Sequence, residues 1–210
     1  EAERQRINAI LRNRLWQETD AYFECMGSAR GTDLADFEQT VTPELFTPHL
    51  ISVTVHTDYY CGGAHPDFGT AGINLDAHTG QPIALEDLLW LGKGKPLHVI
   101  GLADDPAQTP NAQANDALAA YQEKTLAPWL LAQFNRLYPT LMQPTDSEDE
   151  CNYNDVEFWQ YGNWHLTPAG VFFGPSFPRA ARACEASDDW SIVPWALVRK
   201  HPGPLGNAIP

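Results

Sequence analysis

The sequence predicts an α+β fold, an antiparallel sheet meander packed with an N-terminal helix and a central helical segment. Three observations point there. Apolar residues recur at helical spacing before Gly27 and again between Asn111 and Tyr138. The stretches 37–60 and 68–76 instead alternate apolar with polar side chains, and no strand–helix–strand repeat runs through the chain. The length of 210 residues suits one compact unit, read as a helix over 1–28 packed on a single body over 29–210.

Along the chain, Ile7, Ile10, Leu11, Leu15, Tyr22 and Phe23 fall at spacings of an amphipathic helix that Gly27 would stop. Phe37, Gln39 and Val41, then Ile51, Val53 and Val55 set against Ser52, Thr54 and His56, predict two strands joined around Pro43 to Pro48. A glycine pair at 62 and 63 ends the second strand, because glycine accepts the positive φ of a sharp reversal. Phe68 to Asp76 returns as a strand, and the turn His78-Thr79-Gly80-Gln81 leads into a short helix near Leu85–Leu89. Pro128 divides the central helical segment into two pieces and sits in the first turn of the second. Extended segments are expected at 156–158, 164–166, 171–173, 180–184 and 191–195, with Thr167 to Gly170 as a turn.

With 43% hydrophobic residues, 7 Trp, 7 Tyr and 9 Phe, the chain is too apolar to stay disordered despite a net charge of -14. Thirteen basic against 27 acidic residues argue against a nucleic-acid partner and favour a basic one. Acidic clusters at 146–155 and at Asp188-Asp189 would concentrate that field. The longest apolar stretch, Leu126 to Phe134, is shorter than the roughly 20 residues of a spanning helix, so no transmembrane segment is expected.

Cys25, Cys61, Cys151 and Cys184 include no CxxC pair and no histidines at zinc-finger spacing, so disulfides are expected rather than a metal cluster. Of the three possible connectivities, Cys25–Cys61 with Cys151–Cys184 is favoured, since each bond then closes a loop within one half of the chain. Disulfides imply the periplasm or the cell surface, with any signal peptide outside this chain.

Three histidines stand two residues from an aspartate: His56 and Asp58, His65 and Asp67, Asp76 and His78. Positions i and i+2 of a strand share a face, so a hairpin could bring these pairs together as a metal-assisted hydrolytic site, with His65 acting beside Asp67, Asp76 or His78. The plainer expectation is polar pairs on the wet side of a sheet. No nucleophile or phosphate-loop motif is present, Ser176 sits in a Gly/Pro turn, and no cofactor or resident metal is expected. Trp159, Tyr161, Trp164, Trp190 and Trp195 crowd the last third, where most would be core and some could bind a ligand.

The string Tyr60-Cys61-Gly62-Gly63-Ala64-His65-Pro66, followed by Asn74-Leu75-Asp76, Thr79-Gly80 and Ile83-Ala84-Leu85-Glu86-Asp87-Leu88, resembles the signature of the RsiV-like C-terminal domain family. Leu166 to Phe173 and Ile192-Val193-Pro194 are similar to its second half, so the resemblance spans about Phe37 to Val198. It implies an extracytoplasmic α+β domain of unknown function, found in lysozyme-sensing anti-sigma factors, beside peptidoglycan deacetylase domains and in lipoproteins. No catalytic role is implied for any matched residue. The expectation is an exported, non-enzymatic binding domain for a cell-envelope ligand such as peptidoglycan, or for a basic protein such as a lysozyme. The candidate binding residues are Tyr60, Gly62, Gly63, His65, Asp67, Trp159 and Trp164, and the alternative is a metal-assisted hydrolase acting on envelope glycan.

Overall fold

The computed structural model describes residues 1–31, 33–100, 111–144, 151–186 and 190–210. It is α+β, with two antiparallel three-stranded sheets. The chain divides into two compact units, and the division falls after Ile83 rather than after residue 28. Each unit has a sheet and a disulfide of its own.

The first unit holds α1 (Ala2–Ser28), β1 (Asp36–Phe46), β2 (Leu50–Tyr60) and β3 (Asp67–Asp76). The strands form a meander in the order β1-β2-β3. One face of β2 and β3, carrying Ile51, Val53, Val55, Ile73 and Leu75, is covered by Ile7, Ile10 and Leu11 of α1. The opposite face is polar even where it is buried: the Ser52 hydroxyl donates to Asn74 Oδ1 at 2.6 Å, and Thr54 donates to Glu44 at 2.7 Å.

Pro43 does not end β1, as the sequence suggested. It lies inside that strand, where the register shifts between Pro43 and Leu45. An edge strand tolerates a residue without an N–H, and a bulge absorbs the lost ladder bond. Arg6 on α1 secures the turn after β3, donating to the carbonyls of His78 at 2.5 Å and Thr79 at 2.9 Å.

The second unit contains α2 (Leu85–Leu88), α3 (Ala112–Tyr121), α4 (Ala127–Leu137), β4 (Trp164–Leu166), β5 (Gly170–Phe173), β6 (Ile192–Pro194) and α5 (Trp195–Val198). A π-helical turn, Gln122–Leu126, joins α3 to α4. Pro128 is the cause: it has no N–H for the carbonyl four residues back, and the ladder widens so that the Ala127 amide reaches the Gln122 carbonyl. Phe134 of α4 is fully buried against Trp159, with ring centroids 4.5 Å apart, and near Phe173 of β5.

Two segments expected to be extended are 3-10 helical instead, Val156–Trp159 and Arg179–Ala186. The Asp155 side chain caps the first through the Glu157 amide, and the Cys151–Cys184 bond with the Tyr153 hydroxyl on the Cys184 carbonyl fastens the second. Among the described residues, no helix is long and apolar enough to cross a membrane.

Candidate functional site

β2 and β3 are joined by Cys61 to Pro66, and the backbone there can only be built from glycine. Gly62 has φ 85° and Gly63 φ 136°, a region disfavoured for residues with a Cβ. The Cys25–Cys61 bond draws this loop onto the end of α1, so closely that a Cβ on Gly62 would lie 3.3 Å from the Ser28 carbonyl oxygen. Within the loop the Tyr60 hydroxyl donates to the Gly63 carbonyl at 2.8 Å, and His65 Nδ1 donates to the Pro66 carbonyl at 2.7 Å. Asp67 caps the start of β3 by accepting from the Phe68 amide at 2.9 Å.

A pocket of about 400 Å³ opens beside the loop. Its walls include Leu34, Tyr59, Tyr60 and Phe68, and His65 and Pro66 contribute from the loop. Three carboxylate residues line it as well, Asp36, Asp58 and Asp67, and no lysine or arginine does. Strand pairing brings them together. Asp36 is opposite Tyr60 on β1, Asp58 is opposite Phe68 on β3, and Tyr59 is opposite Asp67. Alternation then sets Asp36, Asp58, Tyr60 and Phe68 on the face of the sheet turned away from α1.

His56 joins this edge: its Nε2 lies 3.2 Å from Asp58 Oδ2 and its Nδ1 2.8 Å from the Thr70 hydroxyl. Aromatic faces with carboxylates at their rim suit an ammonium or guanidinium group, which gains ring quadrupole attraction and charge-assisted hydrogen bonds in one place.

The three histidine–aspartate pairs do not share a site. The hairpin forms as expected, but β3 is 10 residues long, roughly 30 Å at about 3.3 Å per residue, with Asp67 at one end and Asp76 at the other. Asp76 accepts from the backbone amides of His78 and Thr79, both at 2.8 Å, and so shapes the turn. His78 turns instead to Glu3 at 3.3 Å and to His49 at 3.0 Å. Among the described residues, no group of three or more His, Cys, Asp or Glu side chains is arranged to hold a metal ion.

Of the seven candidate binding residues, Tyr60, Gly62, Gly63, His65 and Asp67 form this loop and its pocket, all within the first unit. Trp159 and Trp164 belong to the second. Trp159 is core, its indole N–H donating to the Tyr153 carbonyl and its ring packed on Phe134, so it has no surface to offer a ligand. Trp164 is half-buried at the start of β4, opposite Phe173. Asp36 and Leu34 went unnoticed in the sequence, and Asp58 stood there only as the partner of His56. The acidic runs at 145–150 and 187–189 lie outside the described residues.

Two further places hold chemistry. Between α1 and the sheet lies a cleft of about 520 Å³ floored by Val55, Thr57 and Ala71. On its wall Arg14 and Glu18 pair at 2.5 Å, and Gln39 donates to both Glu18 and Thr57. In the second unit, Asp87 Oδ2 accepts from the Ala84 amide at 2.9 Å and lies 2.8 Å from His98 Nδ1. The neighbouring Glu86 is 3% exposed, and its Oε1 has no partner among the described residues. Burial pushes the Glu86 carboxyl up to about 7, with a backbone hydrogen bond acting against it and the Asp87 charge adding to it.

Comparison with protein-family models finds no match for the chain, and comparison with curated proteins finds none either.

Proposed function

We propose that this chain is an exported binding module, working in the periplasm or at the cell surface, whose loop pocket takes a cationic group from a basic envelope protein of the lysozyme type. The observation that carries this is the lining of the pocket: Asp36, Asp58 and Asp67 with Tyr59, Tyr60 and Phe68, and no basic side chain among them. A net charge of -14 adds a long-range field that would speed the approach of a basic partner. Two disulfides suit an oxidising compartment, and the resemblance of the 60–66 loop to RsiV-like domains supports a lysozyme as the partner.

Calorimetry against a panel of lysozymes tests this. Binding should weaken as added salt shortens the screening length from ~30 to ~8 Å. It should also weaken by on the order of tenfold or more when Asp36, Asp58 and Asp67 are changed to Asn, since hydrogen bonds to charged groups contribute roughly 1.5–3 kcal/mol each. Glu123→Lys, on the π-helical turn of the other unit, is the control for net charge and should change affinity far less. No interaction at low salt, or equal affinity for the Asn variants, removes this reading, and retention on peptidoglycan instead would move the ligand to glycan.

A further inference from the structure

Helix α1 carries large apolar residues on two opposite sides. Ile7, Ile10 and Leu11 turn inward to the sheet and Cys25 is buried. At about 100° per residue, Trp16 points away from Ile7, and Ala9, Arg12, Asp20 and Phe23 lie within about 40° of Trp16. Trp16 is 62% and Phe23 66% exposed, and Ala9, Arg12 and Asp20 are exposed between and beside them. Among the described residues, neither Arg12 nor Asp20 has a hydrogen-bond or ion-pair partner.

We propose that this stripe is where two copies of the chain meet, as an antiparallel helix pair with a two-fold axis at Trp16. The spacing is self-complementary about that residue. Arg12 stands four positions before it and Asp20 four after, so in an antiparallel pair each Arg12 faces the second copy's Asp20. Ala9 stands seven before and Phe23 seven after, so each Phe23 ring meets a methyl group. Positions four and seven apart keep the contact on one seam along the helix. A parallel pair would oppose Arg12 to Arg12 and Asp20 to Asp20, which like-charge repulsion disfavours. An anionic membrane is a poorer occupant, because Asp20 lies in the stripe and the chain as a whole is at -14. The contact is independent of the loop pocket, and a two-fold pair would carry two such pockets.

Sedimentation of the full chain from micromolar to millimolar concentration should show mass rising from 23.3 kDa toward twice that value. Trp16→Ala should raise the dissociation constant about tenfold or more, as expected for a central aromatic anchor. Arg12→Glu makes both charged positions of the stripe acidic, and Asp20→Arg makes both basic. Each variant alone should stay monomeric, and an equimolar mixture should recover the dimer. All three side chains are exposed, and circular dichroism checks that the variants keep the helix. A wild-type chain that is monomeric throughout overturns the proposal. So does a dimer indifferent to Trp16→Ala, a mixture that fails to recover, or a monomer that instead sediments with phosphatidylcholine vesicles.

Discussion

The Tyr60 hydroxyl is bonded to the carbonyl of Gly63, three residues ahead, across a loop whose two glycines both have positive φ. Tyr60 is thus a wall of the pocket and a strut for the backbone beside it. Loop shape and pocket shape are one property, which places changes at the glycines on the fold before any binding step.

Gly63→Val is expected to lower stability by about 1–2 kcal/mol, the cost of holding a residue with a Cβ in the left-handed region. For a unit of this size that is a fall of roughly 4–8 °C in melting temperature per kcal/mol. Tyr60→Phe, which loses one partly exposed hydrogen bond, should cost less, about 1 kcal/mol. Equal melting temperatures for wild type and Gly63→Val would show that the loop is not architectural.

Unreduced protein is expected to weigh about 4 Da less than the reduced chain, two hydrogens for each of the bonds Cys25–Cys61 and Cys151–Cys184. Replacing Cys25 and Cys61 together by Ser should lower stability by about 3–4 kcal/mol in the chain-entropy account, given a separation of 36 residues. Peptide mapping that finds alkylated thiols in native material contradicts both statements.

Glu86 gives stability a pH dependence of definite sign. Its carboxyl titrates at about 7 in the folded protein against an ordinary 4.5, so the unfolded chain loses its proton first as pH rises. The fold is therefore unpenalised below about pH 4.5, loses stability from there to about 7, and carries the full penalty above, on the order of 3 kcal/mol. Glu86→Gln should abolish that slope and be more stable than wild type at pH 8 by roughly 2–3 kcal/mol. Denaturant titrations at several pH values would show it, and parallel curves for the two proteins would refute the assignment.

The meander was legible because its signal is local. Alternation over 50–60 and 67–76 fixes which side chains share a face, and the glycine pair between them marks the reversal. The pocket was not legible, because Asp36 meets Tyr60 only through the β1–β2 register, and a bulge near Pro43 shifts that register. The helical turns at 156–159 and 179–186 escaped for another reason: a side-chain cap and a distant cysteine hold them, and neither leaves a periodic pattern. Trp159 shows the limit of composition, since an aromatic residue suited to a ligand is equally suited to Phe134, and packing chose the latter.

The disulfides also decide how the molecule responds to force. Residues 26–60 and 152–183 lie inside covalent loops, so tension applied at the two ends of the chain bypasses them. At about 3.4 Å per residue, separations of 36 and 33 residues keep roughly 120 and 110 Å of chain out of reach of the pull. The whole β1–β2 pair falls inside the first loop, whereas β3 lies outside it. A stretched molecule can shed β3, but its first hairpin stays mechanically silent until a thiol exchanges with the bond that encloses it.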